Sequence, residues 1–135
     1  MKRYAGIIVK SNDRVLLCKR NADGAYPGEW SIPGGSLEEN ESPRDGALRE
    51  FFEETTYELE NKLTFAGTLT RYNRNGTEPR GMMYCYIYET NDDINPDLKN
   101  AKDGDEHTQC GYFNENEIPS PISPELYNIL IKTLK

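Results

Sequence analysis

The stretch that decides the fold runs from Gly35 to Tyr57 and reads GSLEENESPRDGALREFFEETTY. Ser42 is a typical N-cap, Pro43 suits the first helical position, and Asp45 lies where the helix dipole favours an acidic side chain. Apolar side chains then recur at helical spacing, at Ala47, Leu48, Phe51 and Phe52. The pattern predicts an amphipathic helix from Ser42 to about Thr55.

Three carboxylates share one face of this predicted helix. At about 100° per residue, Glu50, Glu53 and Glu54 fall within an arc of about 100°. Like charges on adjoining turns destabilise a helix, and Mg²⁺ or Mn²⁺ bound by carboxylate oxygens would offset that cost. Spacing alone leaves a second interpretation open, in which the three side chains form a solvated acidic surface. Arg49 stands four residues before Glu53 and is expected to pair with it.

The same segment closely resembles the Nudix box, G-x5-E-x7-R-E-U-x-E-E-x-G-U, in which U is a bulky apolar residue. The positions that match are Gly35, Glu41, Arg49, Glu50, Phe51, Glu53 and Glu54. Thr56 replaces the last glycine, which leaves the helix exit open, and Tyr57 takes the final apolar position. Residues 30–35, WSIPGG, also resemble the family's lead-in to the box. On these residues the chain resembles the Nudix hydrolase (MutT-like) family.

The resemblance implies the α/β class, with an α/β/α sandwich around a mixed central sheet, formed by residues 1–135 as a single domain. It also implies Mg²⁺-dependent hydrolysis, with Mn²⁺ as an alternative metal, of a pyrophosphate linkage in a nucleoside diphosphate derivative. We expect a nucleoside triphosphate-type substrate. The alternatives are ADP-ribose or another nucleotide sugar, a dinucleotide, an RNA cap, or a non-catalytic module that senses a nucleotide.

Roles for individual residues follow from the same resemblance. The metal would be bound by the Gly34 carbonyl oxygen and by the carboxylates of Glu50, Glu53 and Glu54. Arg49 would orient a glutamate, and Glu41 would brace the junction between loop and helix or assist the metal.

The sequence leaves two carboxylates as candidates for the general base. One candidate is Glu53 within the box, and the other is Glu106, which lies in the region where relatives place a base on a distant loop. Asp103 and Asp105 flank Glu106 closely, and a solvated acidic loop is the alternative interpretation of all three.

Candidate substrate-binding residues lie outside the box. Cationic side chains can hold phosphates and aromatic rings can stack on a base, and the candidates of these two types are Arg20, Tyr26, Trp30, Arg71 and Arg80. Ordinary surface positions for the arginines, and packing of Trp30 on the sheet, are the alternatives. His107 is the only histidine, and we expect a surface or partly buried hydrogen-bonding residue.

Charge and hydropathy restrict the partners. The net charge is -7, and residues 35–56, with seven acidic and two basic side chains, contribute -5 of it. This balance argues against generic nucleic-acid binding, while a metal would still allow a phosphate substrate. No apolar run approaches the roughly 18 residues of a membrane span, and no signal peptide is evident, so we expect a cytoplasmic protein, either monomer or homodimer. Three widely spaced cysteines are expected to be reduced thiols.

The remaining elements are predicted from period and turn residues. Tyr4–Lys10 and Arg14–Arg20 are expected to form a hairpin. Two further strands are predicted at Leu63–Tyr72 and Met82–Thr90, and a short one at His107–Phe113. A terminal helix is expected to be capped at Ser123-Pro124 and to carry one apolar face, formed by Leu126, Ile129, Leu130 and Leu134.

Overall fold

Among the residues that the structure describes, four strands precede the first helix, and three more strands lie between it and the second helix. The computed structural model of the protein describes residues 2–21, 26–73, 75–102 and 106–135. In chain order the elements are β1 (Lys2–Ser11), β2 (Arg14–Arg20), β3 (Trp30–Ser31), β4 (Gly34–Ser36), α1 (Pro43–Thr55), β5 (Thr64–Tyr72), β6 (Pro79–Thr90), β7 (His107–Phe113) and α2 (Pro124–Leu134). Neither described helix has the length and apolar content that crossing a membrane requires.

The strands form one mixed sheet. Its main order is β3-β2-β1-β6-β5, with β4 paired to β1 and β7 paired to β2. The central pair, β1 and β6, is parallel from Lys2↔Gly81 to Ser11↔Thr90, whereas the other strand pairs are antiparallel. A parallel pair needs a long crossover connection, and α1 lies within it.

The two helices cover opposite faces of this sheet. Successive side chains of a strand point to opposite faces, and β1 is buried on both. Ile7 packs in one core cluster with Phe51 of α1, while its neighbour Ile8 packs in the other with Leu126 and Leu130 of α2. The α/β/α sandwich with a mixed central sheet, expected from the resemblance, is therefore confirmed.

Helix α1 begins as predicted and ends in an unusual way. The Ser42 hydroxyl accepts a hydrogen bond from the Asp45 N–H at 3.1 Å, and Pro43 is the first helical residue. After Thr55 the chain leaves through Thr56, which has left-handed backbone angles (φ 69°, ψ 0°) and donates its N–H to the Phe52 carbonyl. A β-branched residue rarely adopts this conformation, so threonine adopts here the conformation that a C-capping glycine usually supplies.

The other predicted elements agree in part with the structure. The bounds of β7 and the Ser123 cap of α2 are as predicted. Strand β6 begins at Pro79, not Met82. The β1–β2 hairpin is short, paired at Lys10↔Val15 and Ser11↔Arg14, and β4 pairs with the earlier part of β1. Strands β3 and β4 were not predicted, because two or three residues are too few to show a period.

The expectation of three reduced cysteines is wrong. Cys18 of β2 and Cys110 of β7 are directly opposite each other in the antiparallel register and form a disulfide across a sequence separation of 92 residues. Cys85 is a free, buried thiol whose pKa is raised to about 12 by burial. Cysteine spacing says nothing about strand register, and the register brings the first two together.

Candidate active site

A buried carboxylate joins helix α1 to the glycine strand β4. Glu54 is completely buried, and its Oε1 accepts a hydrogen bond from the Gly34 N–H at 3.0 Å. Its Oε2 is buried without a hydrogen-bond partner among the described residues. Burial and the adjacent Glu106 carboxyl raise the pKa of Glu54 well above its usual range. Burial beside Glu106 therefore favours the protonated form of Glu54, and a bound cation would favour its ionised form.

Gly35 allows Glu50 of α1 to lie against strand β4, and Gly34 allows β4 to pack closely against β1. A Cβ atom built on Gly35 would stand 2.3 Å from Glu50 Oε2, and one on Gly34 would stand 2.4 Å from the Ala5 carbonyl oxygen. Real Cβ atoms do not come this near to other heavy atoms. The Glu50 carboxylate consequently lies against the backbone of β4, the same strand that donates a hydrogen bond to Glu54.

Arg49 holds the remaining acids of the helix in place. Its Nε and Nη2 donate to the two oxygens of Glu41 at 2.8 and 2.9 Å, and its Nη1 donates to Glu50 Oε1 at 3.0 Å and Glu53 Oε1 at 2.9 Å. Nη2 also donates to the Ser36 carbonyl at 3.0 Å. This arginine lowers the pKa of Glu41. One guanidinium therefore ties the box loop to the helix, because bidentate pairs fix geometry as well as charge.

The donor chemistry fits a divalent cation, although the side chains do not converge fully. Glu50 and Glu54 both contact the strand of Gly34 and Gly35, and the unpartnered Oε2 of Glu54 is a hard oxygen ligand of the kind Mg²⁺ prefers. Glu53 is instead held by Arg49, with Lys102 Nζ 3.9 Å away. Among the described residues no three acidic, histidine or cysteine side chains are close enough to hold a metal ion in this conformation.

A cavity of about 320 Å³ opens in front of these carboxylates. Both acidic and cationic side chains line it, and those with a charge are Lys2, Arg20, Glu50, Arg71, Arg80 and Glu106. Tyr26 also lines it. Four of the five substrate-binding candidates thus share one cavity with Glu106. Lys2 was missed, since one lysine near the start of a chain carries no signal.

Arg71 forms part of the cavity wall without an ion pair of its own among the described residues. Its guanidinium lies 4.4 Å from the centre of the Tyr26 ring and 5.4 Å from that of Tyr4. Its buried Nε has no hydrogen-bond partner among the residues that the structure describes. Tyr26 is fixed in turn, because its hydroxyl donates to the Tyr72 carbonyl. Burial lowers the pKa of Arg71, which reflects the free-energy cost of burying its charge. A bound anion would offset that cost.

Trp30 lies elsewhere. Its ring packs edge-on against Phe113 with centroids 5.3 Å apart, in the core on the α2 side of the sheet. Its backbone N–H donates to the Pro121 carbonyl at 2.9 Å. The structure therefore places Trp30 as a packing residue, in agreement with the alternative that the sequence left open.

His107 differs from the expectation of a surface or hydrogen-bonded histidine. It is only 5% exposed, and neither ring nitrogen has a hydrogen-bond partner among the described residues. Burial, with a smaller contribution from the charge of Arg20, lowers its pKa to about 4. The expectation was wrong because the β2–β7 pairing, which sets Arg20 opposite His107, buries the start of β7.

The sequence assigns the chain to a family, and solved structures share its fold. Its structure is similar to that of the MutT NUDIX hydrolase from Burkholderia pseudomallei, with a TM-score of 0.78 and 22% identity over 96% of this chain and 95% of that one. The family model for the NUDIX domain matches residues 1–132. The chain therefore belongs to the NUDIX family, as the box predicted.

Relatives with named activities match a shorter part of the chain. The 8-oxo-dGTP diphosphatase of Proteus vulgaris is 40% identical over 50 residues, which are 37% of this chain and 45% of that protein. Nucleoside triphosphatase NudI of Enterobacter sp. (strain 638) is 39% identical over 54 residues, 39% of this chain and 38% of that protein. The match spans less than half the length of either relative.

Proposed function

We propose that the protein is a Mg²⁺-dependent pyrophosphohydrolase that cleaves the pyrophosphate linkage of a nucleoside triphosphate-type substrate. One observation carries the proposal: the unpartnered, buried oxygen of Glu54 lies beside Glu106, and Glu106 lines a cavity with four cationic side chains. Carboxylates packed against each other favour a bound metal ion, and the four cationic side chains of the same cavity favour a phosphate chain.

The box residues would hold the metal. Glu50, Glu53 and Glu54, with the Gly34 carbonyl, are the proposed ligands. When bound, the divalent cation supplies charge neutralisation for the phosphates and polarises the attacking water. Arg49 acts as a positioning residue, because it contacts Glu50 and Glu53 while Glu41 fixes its own Nε and Nη2.

Glu106 is the better candidate for the general base. Both oxygens of Glu53 accept hydrogen bonds from Arg49, at 2.9 and 3.1 Å. Glu106 is exposed and lines the cavity, so its carboxylate can reach a water molecule there. Asp103 and Asp105, the neighbours that left this assignment open, lie outside the described residues.

The substrate side of the cavity would hold phosphates. Arg20, Arg71 and Arg80 are the predicted phosphate-binding side chains, and Lys2 joins them from the start of β1. Tyr26 contributes by fixing Arg71. The names of the two relatives, a nucleoside triphosphatase and an 8-oxo-dGTP diphosphatase, support a triphosphate substrate.

Release of phosphate or pyrophosphate from a nucleotide panel, with and without Mg²⁺ or Mn²⁺, tests the proposal. The panel includes nucleoside triphosphates, ADP-ribose, dinucleotides and capped RNA, so that each alternative substrate has its own readout. We expect metal-dependent turnover of triphosphates. Failure to hydrolyse any pyrophosphate compound would refute the proposal, and tight binding without turnover would favour a sensing module.

Two variants and a control assign the base. Glu106→Gln is expected to lower kcat by about 100-fold or more with little change in KM, as removal of a general base does. Glu53→Gln tests the rival candidate; because Glu53 is also a proposed metal ligand, a lower kcat supports it as the base only if the Mg²⁺ concentration dependence is unchanged. Glu39→Gln is the matched control. Glu39 is an exposed glutamate of the box segment that also contains Glu53, and it does not line the cavity. Unchanged kcat in Glu106→Gln would exclude that residue as the base.

Some expectations stay predictions from the sequence. These are the single domain of residues 1–135, the cytoplasmic location, and the choice between monomer and homodimer. The disulfide between Cys18 and Cys110 removes one support for the cytoplasmic location, because such bonds are rare in reducing compartments.

A further inference from the structure

A second, larger cavity adjoins the proposed phosphate site. It measures about 720 Å³, within the range of about 300–1,000 Å³ typical of small-molecule sites. Tyr26 and Arg71 line both cavities, so the two share a wall. From there the larger cavity extends between β5 and the start of α2, past Leu69 and Leu126. A nucleotide with its phosphates in the smaller cavity would place its nucleoside in this one.

The charges of the two cavities differ in a way that fixes this orientation. The described lining of the smaller cavity carries four cationic side chains against two carboxylates, Glu50 and Glu106, beside which the metal is proposed to bind. Among the described residues that line the larger cavity, Arg71 on the shared wall is the one cation, and Glu29 and Glu125 are acidic. A polyphosphate is repelled by carboxylates in a concave site, whereas a neutral nucleoside offers them hydrogen-bond donors. The phosphates therefore belong in the smaller cavity.

Glu29 lies at the phosphate end of the larger cavity. Its carbonyl accepts a hydrogen bond from the Arg20 N–H at 2.9 Å, and its own N–H donates to the Tyr26 carbonyl at 3.1 Å. Both partners line the smaller cavity. The charges of Arg71 and Arg20 also act on its carboxylate, although burial is the larger influence and raises the pKa of Glu29. Glu29 is thus next to the residues proposed to hold phosphate.

The order of phosphate, ribose and base in a nucleotide decides which of its groups lies next to Glu29. Ribose is attached directly to the phosphate and the base lies beyond it, so a carboxylate beside the phosphate site faces the sugar. On the basis of the proposed function, we propose that Glu29 accepts hydrogen bonds from the ribose hydroxyls and makes the enzyme selective for ribonucleotides. Glu125, further along the cavity, is already bonded to the Thr70 N–H at 3.2 Å.

Kinetics with matched sugars test this assignment. The best ribonucleoside triphosphate of the panel is compared with its 2′-deoxy and 2′,3′-dideoxy analogues in the wild type, Glu29→Ala, Glu29→Gln and the Glu39→Gln control. The wild type is expected to favour the ribonucleotide by about 10- to 100-fold in kcat/KM, because a hydrogen bond to a charged acceptor carries that selectivity. Glu29→Ala is expected to remove most of this ratio by lowering the ribonucleotide value alone.

The conservative variant and the control complete the test. Glu29→Gln keeps the volume and one acceptor oxygen, so its ratio should be intermediate, and Glu39→Gln should keep the wild-type ratio. A wild type without preference, or a Glu29→Ala ratio equal to that of the wild type, would overturn the role of Glu29 while leaving the proposed function intact. Absence of turnover of any nucleotide would overturn both proposals.

Discussion

Glu54 and Gly34 are joined by a hydrogen bond of 3.0 Å between a helix carboxylate and a strand N–H, twenty residues apart in sequence. The bond fixes the distance between α1 and β4 through one buried oxygen. The second oxygen of the same carboxylate has no partner among the described residues. The helix is therefore attached to the sheet by a buried carboxyl group of which only one oxygen is hydrogen-bonded among the described residues.

We expect Glu54→Gln to make the metal-free protein more stable. Glutamine keeps the shape of the side chain and removes the cost of burying an ionisable carboxyl group beside Glu106, a cost that the raised pKa of Glu54 reflects. This change should raise the free energy of unfolding by about 1–3 kcal/mol. Urea unfolding in EDTA measures this. Mg²⁺ should raise the Tm of the wild type and leave that of the variant unchanged, because binding to the native state alone stabilises it. A less stable variant that still responds to Mg²⁺ would contradict the assignment of Glu54 as a ligand.

Thr56→Gly should stabilise the protein by about 1 kcal/mol. Thr56 has a φ of 69°, a conformation that costs a β-branched residue on the order of 1–3 kcal/mol and glycine nothing, although glycine also makes the unfolded chain more flexible. Asn40→Gly is the matched control, since Asn40 has a φ of 64° but asparagine tolerates that conformation. Thermal unfolding of both variants gives the comparison. Equal effects would show that residue type at the exit of α1 is unimportant.

Protonation of His107 should destabilise the protein in mild acid. The pKa of His107 is lowered from 6.5 to about 4 in the folded state, so the unfolded chain takes up the proton first as the pH falls. Its contribution to stability is complete above about pH 6.5 and is lost progressively towards pH 4, by about 3 kcal/mol.

Comparison with His107→Phe isolates this contribution from that of Glu54. The raised pKa of Glu54 favours folding at low pH, which is the opposite dependence, and the variant retains it. Denaturant unfolding at a series of pH values should show a smaller loss of stability on acidification in His107→Phe. Parallel pH profiles for the two proteins would mean that His107 titrates normally.

Two of the three cysteines should be protected from alkylation in unreduced protein. Mass spectrometry after unfolding and alkylation is expected to show one modified cysteine, Cys85, and three after reduction. A Cys18→Ser/Cys110→Ser double variant should lose up to about 4 kcal/mol of stability, because the bond closes a loop of 92 residues. Reductant should have no effect on the double variant. Three alkylated cysteines without reduction would show that the bond is absent in solution.

Local chemistry made parts of the fold predictable. The start of α1 follows from Ser42 and Pro43, whose side chains act within one helical turn. The same holds for Ser123 at the start of α2. The carboxylate face of α1 follows from helical spacing alone. The pairing of Arg49 with Glu53 was predicted for the same reason, because residues four apart on a helix are neighbours.

Long-range pairing made other parts unpredictable. Cys18 and Cys110 meet because β7 adds to β2, and no pattern in the sequence encodes that choice. Burial of His107 depends on the same pairing. The second cavity is lined by Glu29, Arg71 and Glu125, residues from three separate parts of the chain, so its acidic character was missed. The residue types of the site could be read from the sequence, whereas the neighbours of each residue depend on how the strands pair.

The glycine pair of β4 has a consequence for how this protein tolerates variation. Gly34 and Gly35 bear no functional group, yet a Cβ atom on Gly35 would displace the Glu50 carboxylate, and one on Gly34 would collide with the Ala5 carbonyl of β1. A saturation scan should therefore find these two silent positions as intolerant as the glutamates themselves. The geometry of the site therefore depends on two residues that have no side chain and take no part in the chemistry.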